Sequence, residues 1–467
     1  MTRNWTWAAL VGSMALCAAG CKESDAEAPR LREVTSCSEL EQAVRAEALA
    51  TMHEMLDSSL ALALEHDTGD ECLRIQQLGG GCGCGGGSIL INNTDTGDEV
   101  EVSGTNNQVP GVEEADFVKS DERYLYVVSG GQLQIVEAWP ASSARVVSRT
   151  PLEGVPLKLL VTENRALVYA SDPGPEAQEA GGVVDECTYG YACAFTGDGN
   201  PTIATVFDIT DRSAPRKVRE IRFSGSLVAA RQVGSAVYSV VSDAPLELEL
   251  DHFPPDLKTC ERSSIIDAFG RLRAANVKEI AAMTAGDMLS IRDRILDGSA
   301  PERDVVAGCP AFYRSGVGDG EQLTTVAGLD MGGSAPVRSS TVISRPGAVY
   351  ASADALYFAV PHDQWRSSVS GSKQASTVHK FGLDPGTADV RYLASGLVKG
   401  RVLNQFSMDE HRGYLRIATT SGRVGDQDVH STLSVMAQRA GRLAVQAKLD
   451  RIAAGADIRS VRFDGER

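Results

Sequence analysis

The side chains able to do chemistry here are seven histidines, ten cysteines and a surplus of acids. Their spacing assembles no common catalytic motif. His53, His66, His252, His362, His379, His411 and His430 are scattered along the chain. His53-Glu54 lacks the second histidine of an H-E-x-x-H zinc site, and neither a G-x-S-x-G elbow nor a G-x-x-x-x-G-K-[ST] phosphate loop occurs. Asp363, His362 and His411 have the right chemistry for general acid or base work, but nothing in the sequence brings them together. Asn92-Asn93-Thr94-Asp95-Thr96-Gly97-Asp98 offers oxygen ligands. An EF-hand needs Glu at the twelfth loop position, where Ser103 stands, so a polar turn and no metal site are expected. Gly81, Gly83 and Gly86 formally spell G-x-G-x-x-G. They lead from a helix-like segment into the strand-like Ser88-Ile89-Leu90-Ile91, the reverse of a dinucleotide loop, so a linker and no cofactor are expected.

The cysteines point to a compartment. Arg3 precedes an apolar run from Trp7 to Ala19 that is shorter than the roughly 20 residues a bilayer span needs, so residues 1–20 read as a signal peptide. Its end, Ala18-Ala19-Gly20-Cys21, resembles the lipobox of bacterial lipoproteins, with Ala18 where that pattern usually has Leu. The resemblance implies acylation of Cys21 and attachment to a membrane through lipid. An ordinary signal peptide with an incidental Cys21 is the alternative. Ten cysteines less Cys17 and Cys21 leave eight, an even number that suggests disulfides in an oxidising compartment. Cys187 with Cys193 would staple one loop, Cys260 with Cys309 would bracket a helical insertion, and Cys37 with Cys72 would bracket an N-terminal helix. Sequence alone does not fix this connectivity. Cys82 and Cys84 could hold a soft metal with Cys37 and Cys72, but export favours a disulfide.

The elements that must position these residues are mostly strands. A net charge of −17 with no Lys/Arg-rich run is repelled by phosphate backbones, which excludes nucleic acid as a partner. The 46 glycines and 6% aromatics suit a turn-rich β-protein. Residues 21–35 read as a polar tether and 36–78 as a helical segment. That segment carries a capping-box pattern at Ser38-x-x-Glu41, then Leu40, Val44, Ala48, Met52, Met55, Leu56 and Leu60 at helical spacing. Residues 79–111 read as a Gly-rich linker with an entry strand. From 112 to 467 a unit of short strands recurs. Its second strand is Tyr124–Ser129, then Ala166–Ser171, Ala236–Ser242, Ala355–Val360 and Gly413–Ala418. The first interval, Tyr124 to Ala166, is 42 residues, the length of a four-stranded propeller blade. The expected class is all-β, a β-propeller of about five blades plus a partial one, because repeated hairpins bury both faces only by radial stacking. Inserts fall at 172–200 and 245–320, the latter expected to be helical from Ser263 to Leu296. Such loops either build a binding face or are tolerated decoration.

Thr105-Asn106-Asn107-Gln108-Val109-Pro110-Gly111-Val112-Glu113-Glu114-Ala115-Asp116-Phe117-Val118-Lys119-Ser120-Asp121 resembles the entry motif of a family of secreted prokaryotic proteins. Their C-terminal β-propeller is distantly related to WD repeats. The family often has Glu where Pro110 stands and Asp where Glu113 stands. Asp208-Ile209-Thr210-Asp211-Arg212-Ser213-Ala214-Pro215 is similar to its recurring turn after a third strand. Ile458–Arg467 is similar to the opening strand of a later blade, so the chain is expected to be truncated; a closed five-bladed ring is the competing idea. The resemblance covers about Ser36 to the end and implies fold and export. It transfers no catalytic residues. Glu114, Asp116 and Asp121 are expected to be structural, the aspartates tying turns through backbone N–H groups. The function these readings favour is an exported, lipid-anchored binding or scaffold module of the cell envelope, with an unknown protein or glycan ligand. The alternative is a hydrolase or lyase with acid and base groups at the mouth of the channel.

Overall fold

A computed structural model describes residues 30–65, 107–174, 195–243, 250–296, 298, 301–315, 322–363, 374–422 and 428–465. The signal segment with Cys21, most of the Gly-rich linker, Cys72, Cys187 and Cys193 lie outside the described residues.

Strand β1 (Arg32–Val34) and helix α1 (Cys37–Glu65) come first, and β2 (Glu113–Glu114) follows the linker. Five antiparallel four-stranded units then succeed one another. The first is β3 (Val118–Ser120), β4 (Tyr124–Ser129), β5 (Gln132–Glu137) and β6 (Arg145–Pro151). The second is β7 (Val155–Thr162), β8 (Arg165–Ser171), β9 (Thr202–Asp208) and β10 (Arg216–Phe223). In the third unit, β11 (Ser226–Val233) and β12 (Ala236–Asp243) are followed by a long insertion. It holds α2 (Arg262–Ala282), α3 (Ala285–Met288), β13 (Ile291–Ile295), β14 (Arg303–Asp304) and β15 (Phe312–Arg314). The unit is completed by β16 (Leu323–Asp330) and β17 (Arg338–Ile343). The fourth is β18 (Ala348–Ala351), β19 (Ala355–Asp363), β20 (Gln374–Asp384) and β21 (Asp389–Lys399). The fifth is β22 (Met408–His411), β23 (Tyr414–Ser421), β24 (His430–Arg439) and β25 (Arg442–Ile452).

The burial pattern explains the stacking. In β5, Leu133 and Ile135 are buried between half-exposed glutamines, the period-two pattern of a strand with one covered face. Every residue of β12 is buried, because a second strand lies between neighbours within its sheet and between the faces of adjacent sheets. Units one and two meet through Tyr126, Val128, Leu133 and Ile135 against Leu159, Ala166, Val168 and Phe207. Gly130 and Gly131 both have positive φ (57° and 71°), which the tight β4–β5 hairpin turn requires. Strand alternation puts every second-to-third connection on the same rim of the ring, so both inserts open from that rim.

The insertion and the N-terminal segment pack together on the outside of units two and three. Strand β13 extends unit two beyond β10, while β15 pairs in parallel with β17 and antiparallel with β1. These additions cover outer edges that would otherwise be exposed. Arg273 of α2 meets His53 Nδ1 at 2.8 Å and donates to Asp57 of α1. Between β10 and β13, Arg219 donates to both carboxylate oxygens of Asp293 at 2.7 Å and to the Ala335 carbonyl at 2.7 Å.

Four expectations need correction. Cys37 is bonded to Cys309, 272 residues away, so neither the Cys37–Cys72 nor the Cys260–Cys309 pairing holds. The reason is that β1 and β15 pair antiparallel, which brings the start of α1 beside the end of the insertion. Cys260 is itself in a disulfide, whose partner lies outside the described residues. The helix cap is Ser36 rather than Ser38. Ser36 Oγ accepts from the Glu39 N–H at 3.2 Å and Glu39 accepts from the Thr35 N–H at 2.9 Å, while Glu41 is paired with Arg45. The helical reading of the insertion runs too far, because Ile291-Arg292-Asp293-Arg294-Ile295 alternates with period two and pairs with β10. Finally, Ile458 to Phe463 forms no strand; Ile458 instead donates its N–H to Thr420 Oγ1 at 3.2 Å.

Candidate functional site

Inner-edge residues of units two, three and five, with the segment that leads into unit one, line a cavity of about 270 Å³. It is lined by Glu114 and Ala115 before β3, Lys158 of β7, Val228–Arg231 of β11, and Asn404, Gln405 and Phe406 before β22. A smaller space of about 50 Å³ shares Val228, Ala229 and Gln405 and adds Phe195 and Gly347–Val349 at β18. A Cβ at Gly347 would collide with the Ala359 carbonyl, so the backbone there can approach this closely only with glycine.

Local backbone irregularities aim the lining inward. Pairing slips between Pro156 and Lys158 in β7 and between Leu227 and Ala229 in β11. Such bulges re-aim side chains where a regular strand would bury them in the sheet. Residues 404–407 break the inner strand of unit five into a short 3-10 turn, capped by Asn404 Oδ1 accepting from the Phe406 N–H at 3.1 Å. That turn presents Gln405 and Phe406 to the centre.

A polar network crosses the cavity. Arg231 is 6% exposed and donates to the carbonyls of Ala230 (3.0 Å) and Val349 (3.3 Å) and to Gln405 Oε1 (2.5 Å). Gln405 Nε2 donates to Glu114 Oε2 at 2.9 Å, so its amide bridges the cation and the carboxylate. Gln108 Nε2 donates to the carbonyls of Gln405 (3.2 Å) and Met408 (2.8 Å), and Asn107 Oδ1 accepts from the Glu114 N–H at 3.2 Å. The entry motif thus lies against the centre of the ring. It is held there by β2, whose Glu114 and Glu113 pair with Arg231 and Gln232 of β11. Burial pushes the Arg231 guanidinium below its ordinary value, with the Glu114 charge opposing.

The sequence-predicted residues are dispersed around this site. Glu114 lines the cavity. Asp116 accepts from the Phe117 N–H at 2.8 Å, and Asp121 accepts from the N–H groups of Arg123 (2.9 Å) and Tyr124 (2.6 Å) and from the Tyr126 hydroxyl (2.7 Å). Burial, with that acceptor, pushes the Tyr126 phenol up to about 12. His362 and His379 lie buried in unit four against Thr377 and Ser395, at 2.6 and 2.7 Å. His411 is in the short β22. None of these three histidines lines the cavity, and among the described residues no group of His, Cys, Asp and Glu could hold a metal. A second polar cluster ties units four and five: Lys399 Nζ lies 3.0 Å from both Asp450 oxygens and 2.7 Å from His430 Nε2. His430 Nδ1 lies 2.6 Å from the Asp428 carbonyl. Against the upward push of burial, the Thr432 hydroxyl and Lys399 hold Asp450 down to about 2.

A family model described as "Beta propeller domain" matches residues 102–467. The chain belongs to this β-propeller family. No curated protein matches the sequence. Among solved structures, the chain is similar to the N-terminal domain of Nup159 at 6% identity, covering 73% of this chain and 62% of that one, with a TM-score of 0.30. Hsv2p of Kluyveromyces lactis matches at 11% identity over 72% of this chain and 86% of that one, with a TM-score of 0.27. The acylaminoacyl peptidase of Pyrococcus horikoshii matches at 12% identity over 73% and 45%, with a TM-score of 0.24. The propeller spans less than two thirds of the length of the Nup159 domain it matches.

Sequence reasoning missed Lys158, Arg231 and Gln405. One signal was legible: Arg231 interrupts Ser-Leu-Val-Ala-Ala-Arg-Gln-Val, an inner strand whose other residues are mostly apolar or small. A charge there needs a reason.

One buried acid also sets a pH dependence for the propeller. Burial pushes the carboxyl of Asp243, at the end of β12, up to about 7, against the opposing hydrogen bond from Ser224. An unfolded Asp ionises near 3.9, so between about pH 4 and 7 the unfolded chain releases a proton that the folded chain keeps. Stability is therefore expected to fall as pH rises through that window, by about 4 kcal/mol. Asp243→Asn should melt close to the wild type near pH 4 and above it near pH 8; thermal melts across that range check this.

Proposed function

We propose that the propeller is an exported binding or scaffold module of the cell envelope, anchored by lipid on Cys21, that acts through its central cavity rather than by catalysis. The observation that carries this reading is the lining itself: two cations, one carboxylate, two side-chain amides and an aromatic ring, with no histidine and no hydroxyl nucleophile. Acid–base catalysis needs titratable groups in mutual reach around a reacting atom, and here the single carboxylate is already held by neighbouring amides. Cavities with a few convergent polar groups are where small ligands are held. Export is supported by the Ala18-Ala19-Gly20-Cys21 ending and by the disulfide between Cys37 and Cys309. Among the described residues no helix is long and apolar enough to cross a membrane.

Fractionation of cells expressing the full-length gene product tests the anchor. Cys21→Ala is expected to move the protein from the membrane to the soluble fraction. An unchanged membrane-bound distribution would sink the lipid attachment.

A further inference from the structure

The cavity also carries a chemical preference. Arg231 is nine-tenths buried, and its hydrogen bonds all go to neutral oxygens: two carbonyls and an amide. Among the described residues it is in no ion pair. Glu114 pairs with it across β2 and β11 and its charge favours the guanidinium, but its hydrogen bonds are from Gln405 Nε2 at 2.9 Å and the Gln108 N–H at 3.4 Å. Buried guanidinium groups elsewhere in this fold are treated differently: Arg219 is met by both oxygens of Asp293. Charged side chains taken out of water are normally paired, because an uncompensated buried charge is costly. Three of the five guanidinium N–H groups of Arg231 are used, one on Nη1 and both on Nη2, leaving the Nε–H and one Nη1–H as donors for a single-point contact with an anion. Among the described residues, Glu114 is the one carboxylate in the cavity lining. Phe406, 44% exposed, supplies an apolar wall. The volume admits a group of about ten non-hydrogen atoms.

We infer that the central cavity binds a carboxylate on a small, partly apolar body, with Arg231 as the anchor and Phe406 packing on the apolar part. This rests on the proposed role of the cavity as the binding locus. The carboxylate can come from a free organic acid or from the C-terminus of a peptide chain; both present the same group.

The test is calorimetric titration of the full-length protein at pH 7 and low salt with four probes. Benzoate and benzamide form the free-acid arm, and N-acetyl-valine and its C-terminal amide form the peptide-end arm. The acids of at least one arm should bind at least tenfold more tightly than their amides, and the arm that binds identifies the source. Arg231→Gln should abolish this preference. Because that variant removes a buried residue and can fail to fold, Gln405→Glu is the companion. It places a carboxylate directly on Arg231 and should weaken acid binding at least tenfold; because it also turns the Gln405–Glu114 hydrogen bond into a pair of adjacent carboxylates, a near-UV spectrum matching the wild type is the check that it is folded. Equal binding of acids and amides, no binding of either acid, or wild-type affinity of the acids for Gln405→Glu would each overturn the inference. Ala229→Phe, which fills the cavity, separates the two levels of failure. If it removes an acid-independent binding, the cavity remains the binding locus and only the carboxylate preference falls. If it changes no binding at all, the cavity reading falls with it.

Discussion

Removing the bond between Cys37 and Cys309 is expected to lower the melting temperature by about 5 °C, through a loss of about 5 kcal/mol. The bond closes a loop spanning 272 residues, and loop entropy withheld from the unfolded chain grows with loop length. It joins the start of α1 to the end of the insertion in unit three, two segments that otherwise meet through the short β1–β15 pairing and the α1–α2 contacts. The Cys37→Ala/Cys309→Ala double variant is the proper comparison, since a single replacement leaves a reactive thiol. Hydrogen exchange should show α1 losing protection while β19 and β20, in the core of unit four, keep theirs. Unchanged protection of α1 would show that packing on α2 holds it without the bond.

Asp293→Ala should be nearly as severe, costing about 3–5 kcal/mol. The side chains of Arg219 and Asp293 are 3% and 0% exposed, and removal of the acid leaves a guanidinium buried among carbonyls. Replacing both partners with apolar residues, as in Arg219→Met/Asp293→Leu, should recover most of that loss, because the desolvation cost disappears along with the attraction. Chemical denaturation of the three proteins measures the difference. If the double variant is as unstable as Asp293→Ala, the pair is a net stabiliser rather than a mutually dependent burial.

The second strands of the blades were legible because they carry the strongest signal a sheet can give. Ala236–Ser242 and Ala355–Val360 are buried on both faces and therefore read as unbroken apolar or small runs. Strand β13 was not legible in the same way. Its five residues alternate, but they follow directly on α2 and α3 and their isoleucines also fit a helical spacing. The Cys37–Cys309 bond could not be found by spacing, since its partners are brought together by the pairing of β1 with β15, two short strands far apart in sequence. The cavity was hidden for a related reason. Glu114, Lys158, Arg231 and Gln405 lie on β2, β7, β11 and the turn before β22, far apart in the sequence. Only radial closure makes them neighbours. The entry motif was visible as a motif, but its placement against the channel followed from the pairing of β2 with β11 and from the hydrogen bonds of Gln108.

The central claim is that the propeller acts by binding through this cavity. It is tested most directly by comparing full-length wild type and Ala229→Phe for capture of the same molecule from solubilised cell envelopes, with both proteins shown to melt alike. The account predicts a species retained by the wild type and lost from Ala229→Phe. Equal retention by both, or chemical turnover of the captured species by the wild type, would contradict it.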